Sequence, residues 1–137
     1  MKLISKEIKE ASKVTSEEWK EWTKTVWNIA NTSDSIHPAV FPEEIPYRLI
    51  RMYSFVGEKV LDPFSGMATT GKAAIRADRP YIGFETNPIF HRESLQRLND
   101  YSAQLHVEDA EFNIMNQSCC DMSQIEENSV GLVVTSP

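Results

Sequence analysis

Four apolar runs in the chain lead into a carboxylate or a hydroxyl. VLD ends on Asp62, YIGFE on Glu85, FNIMNQSCCD on Asp121, and GLVVTSP on Ser136 and Pro137. A single acid after a strand is an ordinary turn former. Three in series along one edge of a parallel sheet mean more, because such sheets bind their ligands at the carboxyl ends of the strands. Glu85 stands 23 residues beyond Asp62, the interval at which an acid on the neighbouring strand can accept hydrogen bonds from ribose hydroxyls. A carboxylate at Asp121 can accept one from an exocyclic amine. This row of acids predicts a nucleoside cofactor.

The turn behind Asp62 reads DPFSGMATTGKAAI. Small residues at Ser65, Gly66 and Ala68 suit a tight turn that a ligand approaches closely. Thr69 and Thr70 open a helix whose first amides suit anionic ligand atoms. A phosphate-binding P-loop is excluded, since Gly71-Lys72 comes too late for its spacing. A dinucleotide fingerprint fits poorly, since only Gly66 matches.

These residues need a frame to hold them. Apolar spacing predicts a helix from about Glu43, with Ile45, Leu49, Ile50 and Tyr53 as its apolar stripe, Pro46 in its first turn and Gly57 at its end. A strand over 59–61, a small-residue helix over 69–77, a strand over 81–84 and a helix over 88–105 follow, the last with Leu95, Leu98 and Leu105 facing in. Strands over 112–116 and 131–134 complete the alternation of a doubly wound parallel α/β sheet. Upstream, Thr15-Ser16-Glu17-Glu18 reads as a helix start, with Trp19, Trp22 and Val26 on one side. Lys2, Lys6, Lys9 and Lys13 fall on one face of a preceding helix. That face is either a phosphate contact or a solvated surface, Glu7 and Glu10 being interleaved. Residues 28–42 are a loop by composition. The chain divides into a helical lead-in, residues 1–30, and the α/β region, residues 31–137.

Composition sets outer bounds. The chain has 137 residues, a net charge of −6 and 41% apolar content, which fits one domain with a real core. No apolar run approaches the ~20 residues that span a bilayer, so no membrane partner is expected. The charged N-terminus lacks the apolar core of a signal peptide, which leaves a cytoplasmic protein as the simplest reading. A nucleic-acid binder usually carries a basic excess, so any such groove here is local or lies on another chain. Cys119 and Cys120 are adjacent, with no His or Cys at zinc spacing. They read as reduced thiols, and no metal is expected.

DPFSGMATT resembles the Asp-Pro-Phe-x-Gly-x-Gly-Thr-Thr motif of the DNA amino-methyltransferases, which methylate cytosine N4 or adenine N6. HPAVFPEEIPYRLI, residues 37–50, is similar to the segment that precedes this motif, and EWTKTVWNI resembles the family's lead-in. GFETNP matches its ribose-binding acid, and VVTSP the start of its Ser-Pro-Pro-aromatic catalytic loop. The resemblance covers residues 20–137. It implies a partial Rossmann-like methyltransferase fold of about four parallel strands with flanking helices, and S-adenosylmethionine as cofactor. By matching position, Asp62, Pro63, Phe64, Ser65, Gly66, Thr69 and Thr70 surround the methionine moiety. Glu85, with Asn87 beside it in the motif, takes the ribose, and Asp121 the adenine amine. His37, Pro38, Ala39 and Phe41 close the pocket from the side. Ala68 stands where the family has Gly, at a cost of about 1 kcal/mol if its φ is positive.

The resemblance also implies the chemistry of the last residues. An exocyclic amine is a poor nucleophile while its lone pair is delocalised into the ring. Hydrogen-bond acceptors on its protons draw it toward a tetrahedral geometry. Ser136 is the first such acceptor and Pro137 its rigid support, since proline locks φ. Ser in place of Asp leans toward cytosine N4. The family's second proline and the aromatic that stacks on a flipped base are not among these residues. The expectation is the cofactor-binding portion of a restriction–modification DNA methyltransferase, acting on double-stranded DNA and inactive without a C-terminal complement or second chain. A non-catalytic cofactor-binding or regulatory subunit is the alternative, and a nicotinamide-dependent oxidoreductase a weaker one.

Overall fold

A computed structural model describes residues 3–30 and 41–137. Two short helices come first, α1 (Lys6–Ala11) and α2 (Ser16–Trp22). Helix α2 starts where its sequence says it should. The Thr15 hydroxyl accepts from the Glu18 amide at 3.1 Å, and the Glu18 carboxylate accepts from the Thr15 amide at 2.9 Å. This reciprocal box satisfies two donors that the first turn leaves unpaired. Because α2 stops at Trp22, Val26 is not on its face. Trp22 is buried, while Trp19 and Val26 are exposed.

Helix α3 (Glu44–Tyr53) carries Pro46 buried in its first turn, where the missing amide is harmless. It ends four residues before Gly57, and Ser54 turns the chain into extended backbone. Tyr53, predicted on the apolar stripe, is exposed at this terminus, whereas Ile50 is fully buried. The lead-in docks on α3. The Trp22 ring meets Tyr47 edge-on with centroids 6.2 Å apart. The Arg48 guanidinium sits 5.1 Å from the Trp27 ring centre, and Arg51 donates to the Lys13 carbonyl at 3.0 Å.

Four parallel strands follow, β1 (Lys59–Asp62), β2 (Tyr81–Phe84), β3 (Phe112–Met115) and β4 (Val130–Val133), with helices α4 (Thr69–Arg76) and α5 (Pro88–Gln104) between them. Their order across the sheet is β3-β2-β1-β4. The chain therefore steps outward from β1 through β2 to β3, then returns to place β4 on the other side of β1. That reversal is the switch point at which sheets of this kind open a ligand crevice. Register brings the strand ends level: Asp62 lies beside Gly83, and Leu61 beside Val133.

The core is small-residue on one side and bulky on the other. Ala73, Ala74 and Ala77 let α4 lie close to the sheet, and Val60, Ile75, Tyr81, Leu98 and Ile114 fill the layer. Leu105 is exposed because it is the C-cap of α5 rather than part of its inner face. Glu43 ties the three larger helices together. It accepts from the Tyr101 hydroxyl at 2.8 Å, with Lys72 at 3.4 Å and Arg76 at 3.6 Å.

Candidate active site at the switch point

Asp62 ends β1 with only 2% of its surface exposed. Its Oδ1 accepts the Phe64 amide at 3.0 Å and the Thr135 hydroxyl at 2.7 Å. The second bond crosses the switch point and ties the end of β4 to the end of β1. Burial holds the Asp62 carboxyl above its ordinary range against these hydrogen bonds, and the charge of nearby Glu85 pushes the same way. The Thr70 hydroxyl adds a weak opposing contact but makes no hydrogen bond of normal geometry. Thr70 is fully buried. A buried hydroxyl without a well-formed hydrogen bond costs about 1–3 kcal/mol, and this one lies beside the buried Asp62 carboxylate.

The turn between β1 and α4 is wound tightly. Gly66 has φ of +51° and Ala68 has φ of +58°, both in the left-handed region. Ala68 is thus an L-residue where glycine is the usual occupant. Relief of about 1–2 kcal/mol of backbone strain in Ala68→Gly is offset by the buried methyl, worth about 0.8 kcal/mol, and by the looser unfolded chain, about 0.4–1 kcal/mol. Urea unfolding of Ala68→Gly is therefore expected to fall within about 1 kcal/mol of the parent. A larger shift would mean the loop is held by something other than this balance.

Helix α4 begins without a side-chain cap, so the amides of Thr69 and Thr70 are available to an anion. Arg97 on α5 donates to the Met67 carbonyl at 2.9 Å and holds the turn from the outer side. Ser65 is buried, Pro63 half-buried, and Phe64 lies 53% exposed on the rim.

Glu85 follows β2 directly. Its Oε1 accepts the Asn87 amide at 2.7 Å, and Oε2 has no hydrogen-bond partner among the described residues. Asn87 itself caps α5, its side chain accepting from the Ile89 amide at 2.9 Å. Asn116 braces this corner by donating to the Glu85 carbonyl at 2.8 Å. Asp121 is exposed and held in a turn of its own, where the Ser123 hydroxyl and amide keep its carboxyl below the ordinary range. Ser136 and Pro137 are exposed immediately beyond Thr135. His37, Pro38 and Ala39 lie outside the described residues, while Phe41 is half-buried just ahead of α3. Cys119 and Cys120 are free thiols. No described helix is long and apolar enough to cross a membrane.

The geometry thus brings Asp62, Ser65, Thr69, Thr70 and Glu85 to one edge of the sheet. Sequence reasoning misses Thr135, because its contact depends on β4 lying beside β1. It also misses Arg97, whose partner carbonyl is 30 residues away.

A partial Rossmann-like sheet with this edge defines the methyltransferase fold class. The structure of the Thermus thermophilus protein TTHA0409 complexed with S-adenosyl-L-methionine superposes with a TM-score of 0.64 at 31% identity, covering 84% of this chain and 43% of that one. The profile of the N6_N4_Mtase DNA methylase family matches residues 1–96, and the chain belongs to that family. Type II methyltransferase M.MjaI of Methanocaldococcus jannaschii is 46% identical over 84 residues, 57% of this chain and 27% of the relative. Type II methyltransferase M.BglI of Bacillus subtilis is 31% identical over 112 residues, 80% of this chain and 32% of the relative. The chain therefore spans about a third or less of the length of these two curated relatives.

Proposed function

We propose that this chain is the S-adenosylmethionine-binding portion of a site-specific DNA methyltransferase. It modifies an exocyclic amine, cytosine N4 in preference to adenine N6, within a restriction–modification system. Family membership supports this reading, and one observation carries it: a buried carboxylate, a buried threonine hydroxyl beside it and an uncapped helix start converge at the switch point.

In this reading the two ends of the methionine moiety find opposite partners. Asp62 accepts from the ammonium, and the amides of Thr69 and Thr70 receive the carboxylate. Pro63, Phe64, Ser65 and Gly66 form the wall between them. Oε2 of Glu85, without a hydrogen-bond partner among the described residues, takes the ribose hydroxyls, with the Asn87 amide fixing the other oxygen. Asp121 accepts from the adenine amine, and His37, Pro38, Ala39 and Phe41 close the pocket's side. Bound there, S-adenosylmethionine supplies an electrophilic methyl group on a sulfonium.

The protein's part in the transfer is to position and polarise the amine. Ser136 accepts a hydrogen bond from it and Pro137 stiffens the backbone beside Ser136. Thr135, bonded to Asp62, sets this hydroxyl at a fixed place relative to the cofactor. The target base must leave the duplex to be reached. With a net charge of −6, the chain offers little to phosphates. Grip on double-stranded DNA falls to the further length that the relatives carry, or to a second chain supplying it.

Two assays separate this from its rivals. Titration with S-adenosylmethionine is expected to quench tryptophan fluorescence where NAD does not. The reverse preference would establish the nicotinamide reading instead. Labelled methyl transfer to duplex DNA is expected when the chain is mixed with one that begins Pro-aromatic, and the product should be N4-methylcytosine. Cofactor binding with no transfer in that mixture would favour a non-catalytic subunit.

A further inference from the structure

We infer that Tyr81 is a positioning residue for the cofactor turn, acting through Ser65 from a slot that Gly71 and Gly83 keep open. This rests on the S-adenosylmethionine reading above. Tyr81 starts β2 and is 1% exposed, yet its hydroxyl meets the Ser65 hydroxyl at 2.8 Å. Ser65 belongs to the turn at the opposite end of the strand pair. To reach it, the phenol ring runs toward the cofactor edge between β2 and α4.

Two glycines make that path possible. Gly83 lies two residues along β2, on the same face as Tyr81. A Cβ at Gly83 would stand 2.6 Å from Ser65 Oγ and 2.8 Å from the Tyr81 hydroxyl. One at Gly71 would stand 2.8 Å from Tyr81 Cε1 and 3.0 Å from Leu98 Cδ1. A glycine inside a strand commonly marks such a close approach.

Ser65 is then gripped at three atoms. Its hydroxyl meets Tyr81, its amide donates to the Phe84 carbonyl at 2.9 Å, and its carbonyl accepts the Ala68 amide at 2.8 Å. The residues that follow carry the left-handed turn at Gly66 and Ala68. Fixing Ser65 therefore fixes where α4 begins and where the Thr69 and Thr70 amides point. Burial raises the Tyr81 phenol far above its ordinary range, so the hydroxyl stays protonated. Preorganised donors bind a ligand without reordering on arrival.

The test is calorimetric titration of S-adenosylmethionine into the parent chain, Tyr81→Phe, Ser65→Ala and the double variant, with amide hydrogen exchange read at residues 66–70. Phe fills the same slot, so Tyr81→Phe is expected to fold and to bind about fivefold more weakly, the order of one neutral hydrogen bond. Exchange at 66–70 should quicken while that of β1 does not. Adding Tyr81→Phe to Ser65→Ala should bring no further loss, since both remove one contact. Parent-like affinity in Tyr81→Phe overturns the inference and leaves the cofactor reading intact, as does a full further loss in the Ser65→Ala background. A silent titration of the parent chain overturns the cofactor reading and this inference with it. Should Tyr81→Phe fail to fold, Ser65→Ala decides, and unchanged exchange at 66–70 there overturns the inference.

Discussion

Asp62→Asn is expected to bind S-adenosylmethionine about 100-fold more weakly, on the scale of losing one buried charged partner, while melting at a higher temperature than the parent at pH 7. The two effects share one cause. The Asp62 carboxylate is buried, and burial raises its pKa above the 3.8 of a free aspartate. The folded chain therefore holds this proton more tightly than the unfolded chain does. The contribution of Asp62 to stability is fully present below pH 3.8 and is lost as the pH climbs through the raised folded value. At neutral pH the buried charge is a standing penalty that the Phe64 and Thr135 hydrogen bonds offset only in part and that a cationic ligand would offset further. Asparagine keeps the Oδ1 acceptor for the Phe64 amide and the Thr135 hydroxyl, and removes the charge. Melting curves of the two proteins should converge as the pH falls toward 3.8. If Asp62→Asn instead melts lower at pH 7, the carboxylate is structural and its place in the cofactor site is wrong.

Arg79→Ala is expected to lose about 2–4 kcal/mol, since it leaves buried carbonyl acceptors without their donors at about 1–3 kcal/mol each, which consumes much of the ~5–15 kcal/mol available to a domain. Arg79 is 3% exposed. Its Nε donates to the Ser54 hydroxyl at 3.0 Å and its Nη2 to the Ser54 carbonyl at 2.7 Å, while Nη1 donates to the Ala77 carbonyl. One guanidinium thus closes the end of α3 against the end of α4, directly before β2. Truncation leaves two buried carbonyls without these donors and a cavity beneath them. Arg79→Lys should recover only part of the loss, because a single ammonium cannot match the planar fork. Urea unfolding of the three proteins measures this. A change under about 1 kcal/mol in Arg79→Ala would show that water replaces the cation freely.

The strand ends are legible in the sequence wherever the signal is local. Asp62, Glu85 and the start of α4 at Thr69 are readable because each is a local signal: an acid after an apolar run, or hydroxyls opening a helix. The Asn87 cap with Pro88 behind it is local as well. Arg79 carries no such local signal, since its partners at Ser54 lie 25 positions upstream. Thr135 cannot be joined to Asp62 without knowing that the chain doubles back to set β4 beside β1. Gly83 offers a usable signal, a glycine in the middle of YIGF, but what it makes room for is visible only once Tyr81 is in place. Tyr53 and Leu105 depart from expectation for one reason. Helical periodicity says which residues share a face, but it does not say where the partner surface stops.

The most direct test of the account is a crystal structure of the chain grown with S-adenosylmethionine. The ligand should lie across the carboxyl end of β1, its ammonium on Asp62, its carboxylate on the Thr69 and Thr70 amides and its ribose on Glu85. A ligand seated elsewhere, or one that touches neither Asp62 nor Glu85, would contradict it.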